Sequence, residues 1–261
     1  KANVGSGVRM NFTFEDMGSW EVPMPDIEQQ CIIVEKYKKN AITLRNSKEL
    51  IEKMNIMDID KVQGKSMALD DVVYVNLESV NPKKEYKDKN IIYVDISCVQ
   101  NGTGKIDYSN IIKANEAPSR ARRIAKEKDI LISTVRPNLK GFAFIEELPS
   151  AINTIFSTGF AILEIKDTNI VIPKYLYLVF MNSFNLMSQM MHVMEKSSYL
   201  SINIENIKSF VVTIPDIEVQ ERIIHEYDML LEVRVGLEQL IELATKKMKE
   251  IVQEIWGEEE V

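Results

Sequence analysis

One stretch of this chain occurs twice, and the repetition limits what the chain can fold into. Glu15-Asp16-Met17-Gly18-Ser19-Trp20-Glu21-Val22-Pro23-Met24-Pro25-Asp26-Ile27-Glu28-Gln29-Gln30 returns as Glu205-Asn206-Ile207-Lys208-Ser209-Phe210-Val211-Val212-Thr213-Ile214-Pro215-Asp216-Ile217-Glu218-Val219-Gln220. Glu205 stands 190 residues after Glu15, and the match runs on without a gap through Ile33/Ile223 and Tyr37/Tyr227 to Leu50-Ile51-Glu52/Leu240-Ile241-Glu242. A repeat of this period duplicates a domain boundary and a helix rather than a solenoid unit. It suggests a pseudo-symmetric binder with two equivalent halves.

Both copies contain a helix start. Pro25 and Pro215 end the preceding segment, Asp26 and Asp216 can cap free amides, and Glu28 and Glu218 complement the helix dipole. After the second start, apolar residues follow a 4-3 spacing: Ile223, Tyr227, Leu230, Leu237, Ile241, Ala244, Met248, Ile251 and Ile255, broken only at Arg234. This predicts one helix from Asp216 to Trp256, roughly 60 Å long at about 1.5 Å per residue. Gly236 is a local weakness in it. Gly257 and the Glu258-Glu259-Glu260 run mark its end. The first copy is shorter and more polar on the same seam: Ile33, Tyr37, Asn40, Leu44, Ser47, Ile51 and Met54. Either stripe could lie on its own domain's core. The 3.5-residue spacing, sustained over about five heptads, favours a helix–helix seam.

Composition narrows the class. A chain of 261 residues with 45% hydrophobic and 27% charged residues can bury a real core in one or two domains. No apolar run reaches the length of a spanning helix, and residues 1–12 lack the pattern of a secretory signal. Cys31 and Cys98 stand alone, as in a reduced, cytoplasmic protein. With only His192 and His225, a histidine-rich metal site is excluded. The net charge of −7 argues against a generic polyanion binder, yet Lys83 to Lys140 alone carries +6. A basic middle between acidic flanks can place a positive face on one domain. The alternative is solvated surface charge with no partner.

Between the two helices, strands are expected at Asp71–Leu77, Ile91–Ile96, Ile130–Ser133, Gly141–Ile145 and Gly159–Ile165, with a turn at Asn101-Gly102-Thr103-Gly104. Pro173 to Met194 reads as one helix, its methionines serving packing. If the ends of this mixed α/β domain lie close together, the flanking helices run antiparallel. Ser201-Ile202-Asn203-Ile204 aligns with Asn11-Phe12-Thr13-Phe14. Residues 1–24 therefore read as the tail of an upstream copy of the domain, in a longer protein or a half-length form.

At this point the chain resembles the specificity subunits of type I restriction-modification systems. The resemblance is carried by Leu69-Asp70-Asp71-Val72, by Ile91-Ile92-Tyr93-Val94-Asp95-Ile96-Ser97, and by Gly102-Thr103-Gly104-Lys105-Ile106-Asp107. It continues in Ser119-Arg120, in Lys128-Asp129-Ile130-Leu131-Ile132-Ser133-Thr134-Val135-Arg136-Pro137, and in Leu200-Ser201-Ile202. It ends in Ile207-Lys208 and the run from Ile214-Pro215-Asp216 to Ile224. Asp70 departs from the family, where glycine is frequent.

The resemblance implies an α/β (α+β) fold: a mixed-sheet target-recognition domain flanked by two long helices that form an antiparallel coiled coil. The expected divisions are an upstream tail at 1–24, a spacer helix at 25–57, the recognition domain at 58–213, a second spacer helix at 214–257 and an acidic tail at 258–261. The implied partners are double-stranded DNA, methylation subunits and restriction subunits, with self-association through the spacer helices. S-adenosylmethionine, ATP and Mg would serve the partner subunits, and no cofactor is expected in this chain. Each recognition domain would read one half-site, and the helices would fix the half-site spacing.

The chain lacks the Asp/Asn-Pro-Pro-aromatic motif of a methylating subunit and a glycine-rich phosphate loop. Glu164-Ile165-Lys166 could end a nuclease strand, but the nearest upstream aspartate is Asp129, so both charged residues read as strand-end surface. No spacing marks a catalytic triad, and the isolated chain is expected to be non-catalytic.

Base readout needs Arg, Asn or Gln, and phosphate contacts need Lys, Arg or Ser. The best cluster is Ser119, Arg120, Arg122 and Arg123, with Arg136, Asn138 and Lys140 after a strand. Lys83, Lys84, Lys87 and Lys89 suit phosphates, and Tyr86 and Tyr108 read as packing residues. Arg120 and Arg123 could equally sit in surface salt bridges, and Arg136 could be structural. The helix seam is expected at Ile33, Tyr37, Leu44, Ile51, Ile223, Tyr227, Leu230, Leu237, Ile241, Met248, Ile251 and Ile255. The competing reading is a coiled-coil scaffold whose central domain binds protein.

Overall fold

The computed structural model describes residues 22–54, 58–197 and 199–256, apart from the side chains of Lys53 and Trp256. Most of the expected upstream tail (1–24) and the acidic tail (258–261) lie outside the described residues. The chain divides into two compact units, one up to Met54 and again from Glu232, the other from Asn55 to Leu231.

The first unit holds α1 (Ile27–Lys53) and the later part of the long helix that closes the chain. Asp26 starts α1 as its sequence suggests: it has extended backbone and its carboxylate accepts from Gln29 N at 2.8 Å. Ile33, Asn40, Leu44, Ser47, Ile51 and Met54 are half-buried or buried, whereas Tyr37 is 41% exposed. On the long helix the matching positions Leu237, Ile241, Ala244, Met248, Ile251 and Ile255 are likewise covered. A groove at the start of α1 is lined by Pro23, Met24, Pro25, Gln29, Ile32 and Ile33 together with Glu254 and Ile255. The start of one helix meets the end of the other, so the pair runs antiparallel. Arg234, where the heptad breaks, is exposed and pairs with Glu238 one turn on, at 3.1 Å.

The second unit has central strands that are buried on both faces. In chain order it contains β1 (Lys65–Ala68), the single turn α2 (Leu69–Val72), β2 (Val73–Val75), the single turn α3 (Pro82–Glu85), β3 (Asn90–Val94), β4 (Ile111–Lys113) and β5 (Ala121–Arg123). Then come β6 (Ile130–Ser133), β7 (Phe142–Phe144), β8 (Thr154–Ser157), β9 (Phe160–Ile165), α4 (Pro173–Asn182), α5 (Phe184–Met194), α6 (Ile204–Ser209), β10 (Val211–Ile214) and, up to Leu231, the first part of α7 (Ile217–Trp256). One four-stranded sheet is ordered β2-β9-β6-β7 and is antiparallel throughout. The other is ordered β4-β3-β8-β5, with β3 and β8 parallel.

Successive side chains on a strand point to opposite faces, and the layers follow from that rule. Ile130 and Ile132 of β6 join Phe142, Ala161, Leu163, Tyr175, Leu176, Phe180 and Met190 in a core beneath α4 and α5. Leu131, between them, points the other way and meets Ile92, Val94, Ala143, Phe156 and Ile162 between the two sheets. Ile91, Tyr93 and Ile155 face outward from the second sheet and are covered by Val80, Ala114, Ala117 and Ala121. The continuous apolar runs of β3, β6 and β9 thus mark strands with core on both sides.

β1 pairs antiparallel with β10, from Lys65↔Ile214 to Ala68↔Val211, and so ties the two ends of the domain together. Gly64 lies tight against this junction: a Cβ there would stand 2.5 Å from the Ile214 carbonyl oxygen.

Several expectations need correction. Asp71–Leu77 is not one strand, because Leu69–Val72 forms a helical turn that buries Leu69 and Val72. Pro173–Met194 is two helices. Ser183 is extended, and its hydroxyl accepts from Leu186 N at 2.9 Å to cap α5. Asp60 reinforces the break: its carboxylate accepts from Ser183 Oγ at 2.6 Å and from the amides of Phe184 and Asn185 at 2.7 and 3.1 Å. Ile223, Tyr227 and Leu230 belong to the second unit, not to the helix pair. Ile223 is buried in the domain core and Tyr227 packs on it. Heptad spacing reports a covered stripe but not what covers it. The methionines are packing residues as expected, with Met181, Met190 and Met194 buried, and so are Tyr86 and Tyr108.

Candidate nucleic-acid interface

One end of the domain gathers the ends of both large sheets. The C-terminal ends of β3, β6 and β8 and the N-terminal ends of β5, β7 and β9 meet there, as the registers Ala121↔Ser157, Ser133↔Phe160 and Ile132↔Phe142 require. Backbone hydrogen bonds join the connecting loops into one rim. Thr158 N donates to Arg120 O at 2.8 Å, and Thr134 N to Gly159 O at 2.9 Å. Ile202 N donates to Thr134 O at 2.9 Å, Arg136 N to Leu200 O at 2.8 Å and Gly102 N to Lys140 O at 3.0 Å. The turn at 101–104, the loop 134–140 and the segment after α5 are therefore a single surface.

The rim also concentrates unusual backbone. Arg136, Lys140 and Leu200 have φ of 47°, 53° and 50°, in the left-handed region that side chains rarely occupy. Gly102 and Gly104 are positive as well, and at Gly104 a Cβ would collide with the Tyr177 hydroxyl. Such conformations persist only where the surroundings impose them, and they cluster at working sites.

The expected contact residues are divided by the fold. Ser119, Arg120, Arg136 and Asn138 are exposed on the rim. Lys140 is not available: it is half-buried and its ammonium donates to Met181 O at 2.7 Å. Arg122 bends back, its Nε donating to Ser119 O at 3.0 Å. Arg123 is half-buried with Nε buried and unbonded among the described residues, and burial lowers its pKa. Lys83, Lys84, Lys87 and Lys89 are exposed but lie before β3. Since β3 reaches the rim with its other end, they stand at the opposite end of that strand, roughly 13 Å away at about 3.3 Å per residue.

Among the described residues none of Arg120, Arg122, Arg123, Arg136 or the Lys83–Lys89 group pairs with a carboxylate. The ion pairs fall instead on Arg45, Lys61, Lys126, Lys174, Lys208, Arg234 and Lys246. Arg120 and Arg123 form no surface salt bridge among the described residues. The sequence reading missed four exposed rim residues: Lys105, Lys196, Tyr199 and Leu200. No periodicity marks them; Leu200 joins the rim by accepting from Arg136 N, and the other three lie on segments next to its bonds.

A second charged group lies away from the rim. Lys126 pairs with Glu78 at 2.7 Å and Glu164 at 3.7 Å, and its backbone amide donates to Asp129 Oδ2 at 2.8 Å. Burial, with help from the charges of Glu164 and Glu78, raises the Asp129 carboxyl to about 6. Asp129 and Glu164, far apart in sequence, are thus neighbours across β6 and β9, and Glu164 is half-buried rather than free surface. Lys166 leaves this group, donating to Asp70 O and lying over the Tyr74 ring at 5.1 Å. Among the described residues no cluster of His, Cys, Asp or Glu could hold a metal ion, and no helix is long and apolar enough to cross a membrane.

With this geometry in place, comparison with known proteins defines the class. Residues 62–244 match the family described as the type I restriction modification DNA specificity domain, and the chain belongs to that family. It is similar to the type I restriction enzyme HindI specificity subunit of Haemophilus influenzae, with 27% identity over 158 residues, covering 60% of this chain and 32% of the relative. Among solved structures it resembles the HsdS subunit of Thermoanaerobacter tengcongensis, with a TM-score of 0.61 and 26% identity, over 74% of this chain and 48% of that one. It is equally similar, at TM-score 0.61 and 26% identity, to a chain solved in work on complex assembly and conformational transition of the type I R-M system, over 75% of this chain and 49% of that one. The chain spans about half the length of these structures and about a third of the curated relative.

Proposed function

We propose that this chain reads one half of a bipartite double-stranded DNA site and is itself non-catalytic. The observation that carries this reading is the rim, which brings Arg120, Arg136 and Asn138 together without carboxylate partners. Arginine can donate two parallel bonds to guanine and asparagine can pair with adenine N6 and N7 in the major groove. Lys83, Lys84, Lys87 and Lys89, at the other end of β3, suit the phosphates of flanking duplex. α1 and α7 are the docking elements for methylation subunits, and restriction subunits join that assembly. S-adenosylmethionine, ATP and Mg act in those partners. A cytoplasmic setting and self-association through the helices belong to the same reading.

The test is co-purification with a methylation subunit, followed by mapping of adenine methylation. Sequence-specific methylation is expected. Arg136→Ala or Arg120→Ala should weaken specific binding by about 1–3 kcal/mol. Lys84→Ala should flatten the salt dependence by roughly one phosphate contact without altering sequence preference. A chain that assembles with no methylating partner and ignores DNA would instead be a scaffold.

A further inference from the structure

Tyr199 is 85% exposed, beside a segment that is hydrogen-bonded into the rim. Its amide donates to Ser197 Oγ at 3.4 Å, and that hydroxyl shares a bond with Ser201 Oγ at 3.2 Å. Leu200 N donates to Ser197 O at 3.3 Å, and Leu200 O accepts from Arg136. Ser201 bridges to Val135, and Ile202 is anchored in the domain core. Leu200 to Ile202 are thus tied into the rim, and Tyr199 before them displays an aromatic ring.

The ring has apolar company. Leu200, Val135 and Leu139, all on the joined rim segments, are 44%, 40% and 48% exposed. Polar groups flank this patch: Arg136 and Asn138 on one segment, and Lys196 on the other, its ammonium 2.9 Å from His192 Nε2. Proteins that deform duplex DNA combine these same parts, with cations on the phosphates and an apolar wedge pushed between base pairs.

We infer that Tyr199 and Leu200 form a wedge that unstacks one base step of the bound duplex. Sequence is then selected partly by how easily that step opens, pyrimidine–purine steps opening most readily. The inference rests on the DNA-reading proposal above. Lys196 holds the backbone beside the wedge while the tyrosine ring replaces the lost base stacking.

The experiment uses the full chain co-purified with a methylation subunit. A pool of short duplexes with randomised centres identifies a bound sequence. Adenines in that sequence are then replaced one by one with 2-aminopurine, which brightens when unstacked. One position should brighten on binding. Tyr199→Ala should abolish the brightening and weaken binding about tenfold, while Tyr199→Trp should keep both. Phe184→Ala, a 78% exposed aromatic at the other end of α5, should change neither. If no position brightens, or Tyr199→Ala behaves like the unmodified chain on a duplex that chain binds, the wedge is wrong and DNA reading stands. If the unmodified chain selects no duplex, the DNA reading fails and the wedge falls with it.

Discussion

At Gln30 the side-chain amide donates to the Pro25 carbonyl at 2.7 Å, and at Gln220 the same group donates to the Pro215 carbonyl at 2.8 Å. The two copies of the repeat therefore fold alike at close range, through one turn that the shared Pro-Asp-Ile-Glu sequence sets up. Their surroundings differ. Gln220 is fully buried, accepts from Ile172 N at 2.8 Å and donates also to Ile170 O at 2.8 Å. Gln30 is half-buried and, among the described residues, makes only the local bond. Val212 and Ile214 are 4% and 5% exposed, whereas their counterparts Val22 and Met24 are 56% and 78% exposed. Local sequence fixes the turn, and the recognition domain packed on the second copy decides what the turn stabilises.

Substitutions made in pairs, one in each copy, measure this difference. The largest effect is expected at Ile223, which is 3% exposed in the domain core. Ile223→Ala should cost about 3–4 kcal/mol in urea unfolding, against about 1 kcal/mol for the half-buried Ile33→Ala. Equal losses would show that both copies are packed alike in solution. Next comes Gln220→Ala, which strands the amide of Ile172 and two carbonyls. A loss of about 2–3 kcal/mol is expected, with under about 1 kcal/mol for Gln30→Ala.

A buried carboxylate distinguishes the second unit by its response to pH. Asp129, in the second unit, has its carboxyl raised to about 6, chiefly by burial. Its folded value, about 6, is raised above the unfolded one. The stability it contributes is therefore complete below about pH 4 and is lost as pH rises through about 6. Asp58, Asp95 and Asp107 have lowered values and act in the opposite direction, losing stability only at lower pH. Between roughly pH 4 and 6 the second unit should thus gain about 2 kcal/mol on acidification, and Asp129→Asn should flatten that slope. A slope unchanged in Asp129→Asn would place the titration elsewhere.

How much was legible in the sequence depended on local repetition. The helices α1 and α7 were legible because heptads recur, and β3, β6, β7 and β9 because their apolar runs are continuous. β1, β4, β5, β8 and β10 escaped, although β1, β8 and β10 are no shorter than β6, so length alone does not explain the misses. Arg122 and Arg123 made β5 look like a basic loop rather than an edge strand that receives its burial from β8. The break at Ser183 depended on Asp60, 123 residues away, and no local window contains that bond. The candidate site was half legible. Arg120, Arg136 and Asn138 announced themselves by type. That Lys140 is occupied, that the lysines at 83–89 stand apart, and that Tyr199 joins the group followed only from strand order.

The pairing of β1 with β10 has a consequence for inheritance as well as for folding. A segment whose two ends are hydrogen-bonded to each other can be exchanged as a cassette. Any insert that closes with the same short ladder hands the chain back at the same place and in the same direction. The flanking helices need not change when the inserted domain does. The cost is kinetic: closing a ladder from Lys65 to Ile214 means ordering the ends of a loop of about 150 residues, a step that adds little to the equilibrium cost but slows folding.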